Sequence, residues 1–255
     1  MDQARVAPAA PRRASRWRAP RWRSPWVRLG GPALILVLLT INVLASGPLV
    51  GADQRIRVFV QSHGGSAGWH WLDAPARLVV NLAGPGVAVP VLALAALAVS
   101  ARRRSLRPLL TAAVAAVLLL VTVIPAKILI GRLSPGQRPL APGALGSFPS
   151  GHMTTAAVCY VVAMLLVVPA LPARVRRGAV AIALAWCLVV GAALVWRNEH
   201  WSTDVVAGWA LAAIIIQVAL PVASRLTRGA ARSAGAGPRG TAGQRDHQPA
   251  ARGPS

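Results

Sequence analysis

The chain of 255 residues carries a formal charge of +22, yet only 13% of its residues are charged and 55% are hydrophobic. A soluble domain typically has about 25% charged residues, so this composition, with a mean hydropathy of +0.54, argues for a bilayer rather than water as the solvent. The arginines lie between and outside long apolar runs instead of on one soluble face, which argues against a nucleic-acid partner and for loops beside anionic lipid.

Residues 1–29 are rich in Arg, Pro, Ala and Trp, a composition that cannot bury a core and predicts a disordered or membrane-surface arm. A membrane domain follows over 30–224, and the basic, Gly/Ala-rich stretch 225–255 is expected to be a disordered tail. Six apolar segments lie between them, at about 31–50, 77–99, 108–130, 151–171, 178–196 and 204–223. Each approaches the ~20 residues that cross a bilayer as a helix. Backbone groups in hydrocarbon must be satisfied within the segment, so the expected fold is all-α with six transmembrane helices.

Residues 52–75 are less apolar. Asp53 is expected to cap a short amphipathic helix carrying Ile56, Phe59 and Val60, with His63-Gly64-Gly65 ending it. Basic clusters precede the first segment and recur at Arg102–Arg104 with Arg107, at Arg174, Arg176 and Arg177, and at Arg225 and Arg228. With six spans these fall on one side, which the positive-inside rule assigns to the cytoplasm together with both termini. Cys159 and Cys187 sit inside apolar runs and read as small buried hydrophobes, neither a disulfide nor a zinc site.

The remaining polar residues cluster at the opposite face. Lys127 and Arg132 end the third span, Pro149-Ser150-Gly151-His152 opens the fourth, and Arg197, His200 and Asp204 bridge the fifth and sixth. Ionisable groups at a membrane are costly and are functional candidates by default. Lys127 is the single lysine among 28 basic residues, as expected where a compact ammonium is needed. Arg132, Arg138 and Arg197 lie against the topological bias, which an anionic ligand explains. In the Pro-Ser-Gly-His segment, Ser150 can cap a helix, Gly151 lets backbone approach a ligand, and the first amides point at an anion. His152 then stands in the first turn, placed to give a proton to a leaving oxygen. If 197–204 is helical, His200 and Asp204 form a pair four residues apart, with Arg197 near the same face. A carboxylate on one imidazole nitrogen leaves the other free to attack. Glu199, His63 and His70 are expected to be solvated or loop residues. Taken singly these features also fit a snorkelling interfacial lysine, a plain helix cap, and a helix-end salt bridge with Trp201 as a membrane-belt anchor. No metal-binding constellation is present, so no metal or other cofactor is expected, and phosphate would be neutralised by Arg and Lys.

In order, these segments resemble the three signature motifs of the type 2 phosphatidic acid phosphatase (PAP2) family, relatives of the vanadium haloperoxidases. The second motif matches fully at 149–152, and the third ends in His200-Trp-Ser-Thr-Asp204. Two departures stand out. Ser134 occupies the position of the first motif's Arg, six residues being expected between it and the Lys, and Arg197 lies three rather than six residues before His200. The resemblance implies a membrane lipid phosphatase in which His200 attacks phosphorus, Asp204 orients it and His152 protonates the departing oxygen. Lys127, Arg132, Arg138, Arg197, Ser150 and the Gly151 amide would then hold the phosphoryl oxygens. The implied substrate is a lipid phosphate or diphosphate drawn from the bilayer, such as undecaprenyl diphosphate or phosphatidic acid, at an active site on the extracytoplasmic face of the cell membrane. A non-catalytic phospholipid-binding or anion-transport protein and a lipid phosphotransferase are the competing classes.

Overall fold

The computed structural model describes residues 25–64, 69–135 and 145–235. Among these the secondary structure is helical: α1 (Pro25–Leu44), α2 (Pro48–Gly64), α3 (Asp73–Ala83), α4 (Pro85–Arg103), α5 (Arg107–Ile130), α6 (Gly151–Val167), α7 (Ala173–Trp196) and α8 (Ser202–Gly235), with short 3-10 turns at His70–Leu72 and Val168–Ala170. Five segments, in α4 to α8, are long and apolar enough to cross a bilayer, and the bent α1–α2 pair brings the total to six. The protein is a multi-pass membrane bundle, and rows of exposed Leu, Ile and Val such as Leu34, Leu38, Leu120, Leu129, Ile182 and Leu188 form its lipid-facing surface.

Two of the expected spans are broken differently. The segment 31–50 is not one helix: α1 stops at Leu44, and α2 leaves at 83° after the turn at Ala45-Ser46-Gly47. Ser46 adopts a positive φ of 50°, and a Cβ on Gly47 would displace the side-chain amide of Asn42, so glycine at 47 lets the chain turn against that side chain. Pro48 then starts α2, the position where its missing N–H costs nothing. The segment 77–99 is likewise two helices, because Gly84 is extended (ψ 157°) and Pro85 opens α4. At the other end α8 continues through the expected start of the tail to Gly235. Residues 1–24 and 236–255, which hold most of the expected arm and tail, lie outside the described residues.

The centre of the bundle is α6, where Met153, Ala156, Val158, Cys159 and Val162 are buried against α4, α5, α7 and α8. Lipid tails are as apolar as leucine, so close packing rather than hydrophobic exclusion joins these helices. Small residues supply it. A Cβ on Gly208 of α8 would lie 3.1 Å from both Met153 Cβ and the Ser150 carbonyl of the α6 start. Tyr160 Oη donates to the Leu82 carbonyl at 2.7 Å, tying α6 to the end of α3. Antiparallel to α8, α1 packs with Leu39 beside Ala207 and Phe148, while Gln217 Nε2 donates to the Arg28 carbonyl at 3.1 Å.

These contacts sort the loops into two ends. Arg107 reaches Ser224 at 2.6 Å, so the α4–α5 turn and the later part of α8 share the end that carries Arg28 and the basic clusters. The α5–α6 connection, the α7–α8 connection and α2 meet at the opposite end.

Because Gly208 leaves no room for a side chain, Gly208→Val should separate α6 from α8 and cost about 1–3 kcal/mol. Gly86, with nothing near its Cβ position, is the control. Thermal unfolding in detergent should show a clear drop for Gly208→Val and little change for Gly86→Val.

Candidate active site

Arg132, two residues beyond α5, organises the site end. Its Nη1 donates to Asp204 Oδ1 and Thr203 Oγ1, each at 2.6 Å, and its Nη2 donates to Asp53 Oδ2 at 2.7 Å. Both carboxylates are buried, with Asp53 1% and Asp204 0% exposed. Buried carboxylates are tolerated only when paired and hydrogen-bonded, and this guanidinium serves both. Asp53 belongs to the middle of α2 and does not cap its own helix as the sequence pattern predicts. It caps α8 instead: Oδ1 accepts from Thr203 N at 3.0 Å and Ser202 Oγ at 2.5 Å, and Oδ2 accepts from Thr203 Oγ1 at 2.5 Å. A carboxylate at that terminus satisfies orphan amides and opposes the positive end of the helix dipole.

The start of α8 also holds His200. Residues 197–200 form turns and bends, and α8 begins at Ser202, so His200 and Asp204 are brought together by a helix start and not by one continuous helix. Asp204 Oδ2 accepts from Trp201 N at 3.3 Å and faces His200 Nδ1 at 3.5 Å. At that separation Nδ1 makes no hydrogen bond among the described residues and stays buried. A catalytic pair is commonly loose before a ligand draws it together.

The Pro-Ser-Gly-His segment folds as expected. Ser150 caps α6, accepting from Met153 N at 3.2 Å, while its own N–H donates to the Asp204 carbonyl at 3.0 Å. Gly151 allows a close approach: a Cβ there would lie 3.1 Å from Lys127 Cε. Lys127 therefore crosses the start of α6, and its Nζ donates to the Gly146 carbonyl at 2.6 Å. His152 stands beside Gly84, whose Cβ position is 3.6 Å from His152 Nε2. Lys127, Ser150, Gly151, His152, His200 and Asp204 are thus brought to one end of the bundle.

The arginines behave differently from one another. Three of the five N–H groups of Arg132 are committed to Asp53, Thr203 and Asp204. Its main work is to hold two carboxylates, and only the rest of its fork is left for an anion. Arg197 does not lie along one helix face with His200. It pairs through Nε with Glu199 at 2.7 Å and borders a cleft beside Arg77 and Asn198. Glu199 is thus an ion-pair partner and not simply solvated. Arg138 lies outside the described residues. His63, in the last turn of α2, donates from Nδ1 to the Phe59 carbonyl at 2.8 Å beside the Phe59 and Trp69 rings.

Two residues of α2 join the site end without a motif to announce them. Asp53 is one. Arg57, one turn further, lies over the Trp201 ring at 5.7 Å, where Arg132 also stacks at 5.2 Å. Its Nε is buried without a hydrogen-bond partner among the described residues, an uncommon state for such a group. The available signal is their spacing, four positions apart on one helix that carries charge in an otherwise apolar chain.

Among known families, the PAP2 superfamily model matches residues 105–228. This stretch is similar to the PAP2 superfamily. It runs from the start of α5 into α8 and includes Lys127, Arg132, the Pro-Ser-Gly-His segment, His200 and Asp204, whereas Asp53 and Arg57 precede it. A crystal structure of a transmembrane PAP2-type phosphatidylglycerolphosphate phosphatase from Bacillus subtilis has the same fold, with a TM-score of 0.68 and 22% identity over 79% of this chain and 98% of that one. No curated protein matches. The shared fold reaches beyond the PAP2 domain match, because covering 79% of this chain requires helices before residue 105.

Asp53→Ala leaves Arg132 paired with Asp204 but removes its second carboxylate and the cap of α8, a loss of about 1–3 kcal/mol. Asp53→Ala should therefore lower the unfolding midpoint far more than substitution of its exposed neighbour, Gln54→Ala, in the same thermal assay.

Proposed function

We propose that this protein is an integral membrane lipid phosphatase that cleaves a lipid phosphate or diphosphate through a phosphohistidine on His200. The observation carrying this reading is the convergence of Lys127, the Ser150-capped start of α6, His152, His200 and Asp204 from three separate segments of the PAP2-like stretch. Binding alone needs cations and amides; it does not need a carboxylate behind one imidazole and a second imidazole near it.

In this reading Asp204 holds the Nδ1 proton of His200, which leaves Nε2 as the nucleophile. Nε2 attacks phosphorus, a P–N bond forms, and the bond from phosphorus to the lipid-side oxygen breaks. His152 gives that oxygen its proton. It then takes a proton from water, which attacks phosphorus and breaks the P–N bond, releasing phosphate and neutral His200. Lys127 and the amides at the start of α6 hold the phosphoryl oxygens. Arg57 and the uncommitted part of Arg132, both at the Trp201 ring, add positive charge where Ser134 has replaced the first motif's Arg. The histidines and cations suffice without a metal or other cofactor. The basic end faces the cytoplasm with both termini, so the site opens on the extracytoplasmic face, where substrate arrives laterally from the bilayer.

The substrate panel is phosphatidic acid, undecaprenyl diphosphate and phosphatidylglycerol phosphate, the last matching the named activity of the structural neighbour. Purified protein in detergent with EDTA should release phosphate from at least one of them. His200→Ala should abolish this, and His152→Ala should slow it about 100- to 10,000-fold. Release that stops with EDTA would remove the metal-free mechanism. Equal rates for folded wild type and His200→Ala on every lipid would favour a non-catalytic lipid-binding role.

Arg57 offers a separate check. If its guanidinium meets the phosphate, Arg57→Ala should lower kcat/KM about 100-fold, within the range for losing one charge-stabilising donor. An unchanged kcat/KM would confine Arg57 to packing on Trp201.

A further inference from the structure

At the basic end of the bundle, opposite the candidate active site, a cavity of about 390 Å³ opens between α4, α5, α6 and α8. It falls within the ~300–1,000 Å³ of ordinary ligand pockets. Its polar wall is Arg103, Arg107, Ser105 and Ser224, and its apolar wall includes Leu166 and Leu220. We propose that this cavity binds an anionic phospholipid of the adjoining leaflet, its phosphate held by Arg103 and Arg107 and its glycerol and acyl stem lying on Leu166 and Leu220.

The charge distribution favours an anion. Among the described residues no carboxylate lines the cavity, and the acidic ones, Asp53, Asp73, Glu199 and Asp204, belong to the other end, where they pair or accept hydrogen bonds. Among the described residues Arg103 and Arg107 therefore have no acidic partner, unlike Arg132 and Arg197. Arg107 is positioned by donating one N–H to Ser224 Oγ at 2.6 Å, which fixes the guanidinium across the gap between α5 and α8 and leaves its other donors for an anion. Ser224 in turn donates to the Leu220 carbonyl and Ser105 Oγ accepts from Arg107 N, so the hydroxyls are held in place. An amphiphile is favoured over free phosphate because the leucines continue the cavity onto the lipid-facing surface, where Leu220 is exposed. Basic recesses between membrane helices bind acidic headgroups by this combination of charge and apolar contact.

The test uses the full chain purified in mild detergent and exchanged against phosphatidylglycerol, phosphatidylcholine or inorganic phosphate, with retained lipid counted by native mass spectrometry. Wild type should keep one phosphatidylglycerol through conditions that strip phosphatidylcholine. Arg103→Gln/Arg107→Gln should reduce that retention at least about fivefold, and Arg103→Gln alone, which leaves the Ser224 contact intact, should reduce it measurably. Arg174→Gln/Arg177→Gln, basic residues outside the cavity, should retain phosphatidylglycerol like wild type. Equal retention of the two lipids, or no loss in either cavity variant, overturns the proposal. Displacement of the lipid by equimolar inorganic phosphate would assign the cavity to a free anion and also overturns it. Because the readout is retention and not turnover, the result is independent of whether the protein hydrolyses any lipid.

Discussion

One guanidinium serving two buried carboxylates is the constraint on which the site end depends. Arg132 lies between Asp53 and Asp204, and each carboxylate has further work: Asp53 caps α8, and Asp204 faces His200. Desolvated acids are expensive, so the three residues stand or fall together. The clamp joins α2, the α5–α6 connection and α8, and the Ser150 N–H to Asp204 carbonyl bond ties the last two together as well. Its consequence for chemistry is positional. The start of α8 is fixed, Asp204 is fixed with it, and His200 is presented from the preceding turn. Trp201 reinforces the arrangement by donating its indole N–H to the Leu133 carbonyl at 2.8 Å while two guanidinium groups lie over its ring.

Much of this is legible in the sequence, for physical reasons that differ by element. Apolar runs near the thickness of a bilayer identify helices whatever their neighbours, so α4 to α8 are readable from composition and length. The Pro-Ser-Gly-His cap is local chemistry, and Ser150 does what such a residue does at a helix start. Breaks inside apolar stretches are harder. Ser46-Gly47-Pro48 and Gly84-Pro85 carry the punctuation of turns, but hydrophobicity averaged over twenty residues hides it, and one bent pair and one split helix read as two straight spans.

Long-range pairing is not legible. Arg132 meets partners 79 and 72 positions away, and nothing local distinguishes an arginine that holds carboxylates from one that holds phosphate. Asp53 reads as the cap of its own helix because a lone acid in a weakly apolar segment usually serves locally; only the packing of α2 against α8 shows that it caps another. Arg197 misleads for a related reason. Helical spacing places it with His200, whereas the chain turns at Asn198, whose φ is 53°, and sends Arg197 towards Glu199. Among the described residues the two ends of the bundle divide the acids accordingly: all four lie at the end with His152 and His200, and Arg103 and Arg107 face none at the other.

The proposed chemistry rests on His200 as the nucleophile. The most direct measurement is a rapid quench in alkali of the purified protein mixed with a lipid carrying a radiolabelled terminal phosphate, followed by peptide mapping of the bound label. Label that is stable in alkali, released by acid and confined to the peptide holding His200, and absent from His200→Ala, is the result expected. Turnover of the same lipid with no label on the protein at any quench time would contradict it, and would assign the attack on phosphorus to water.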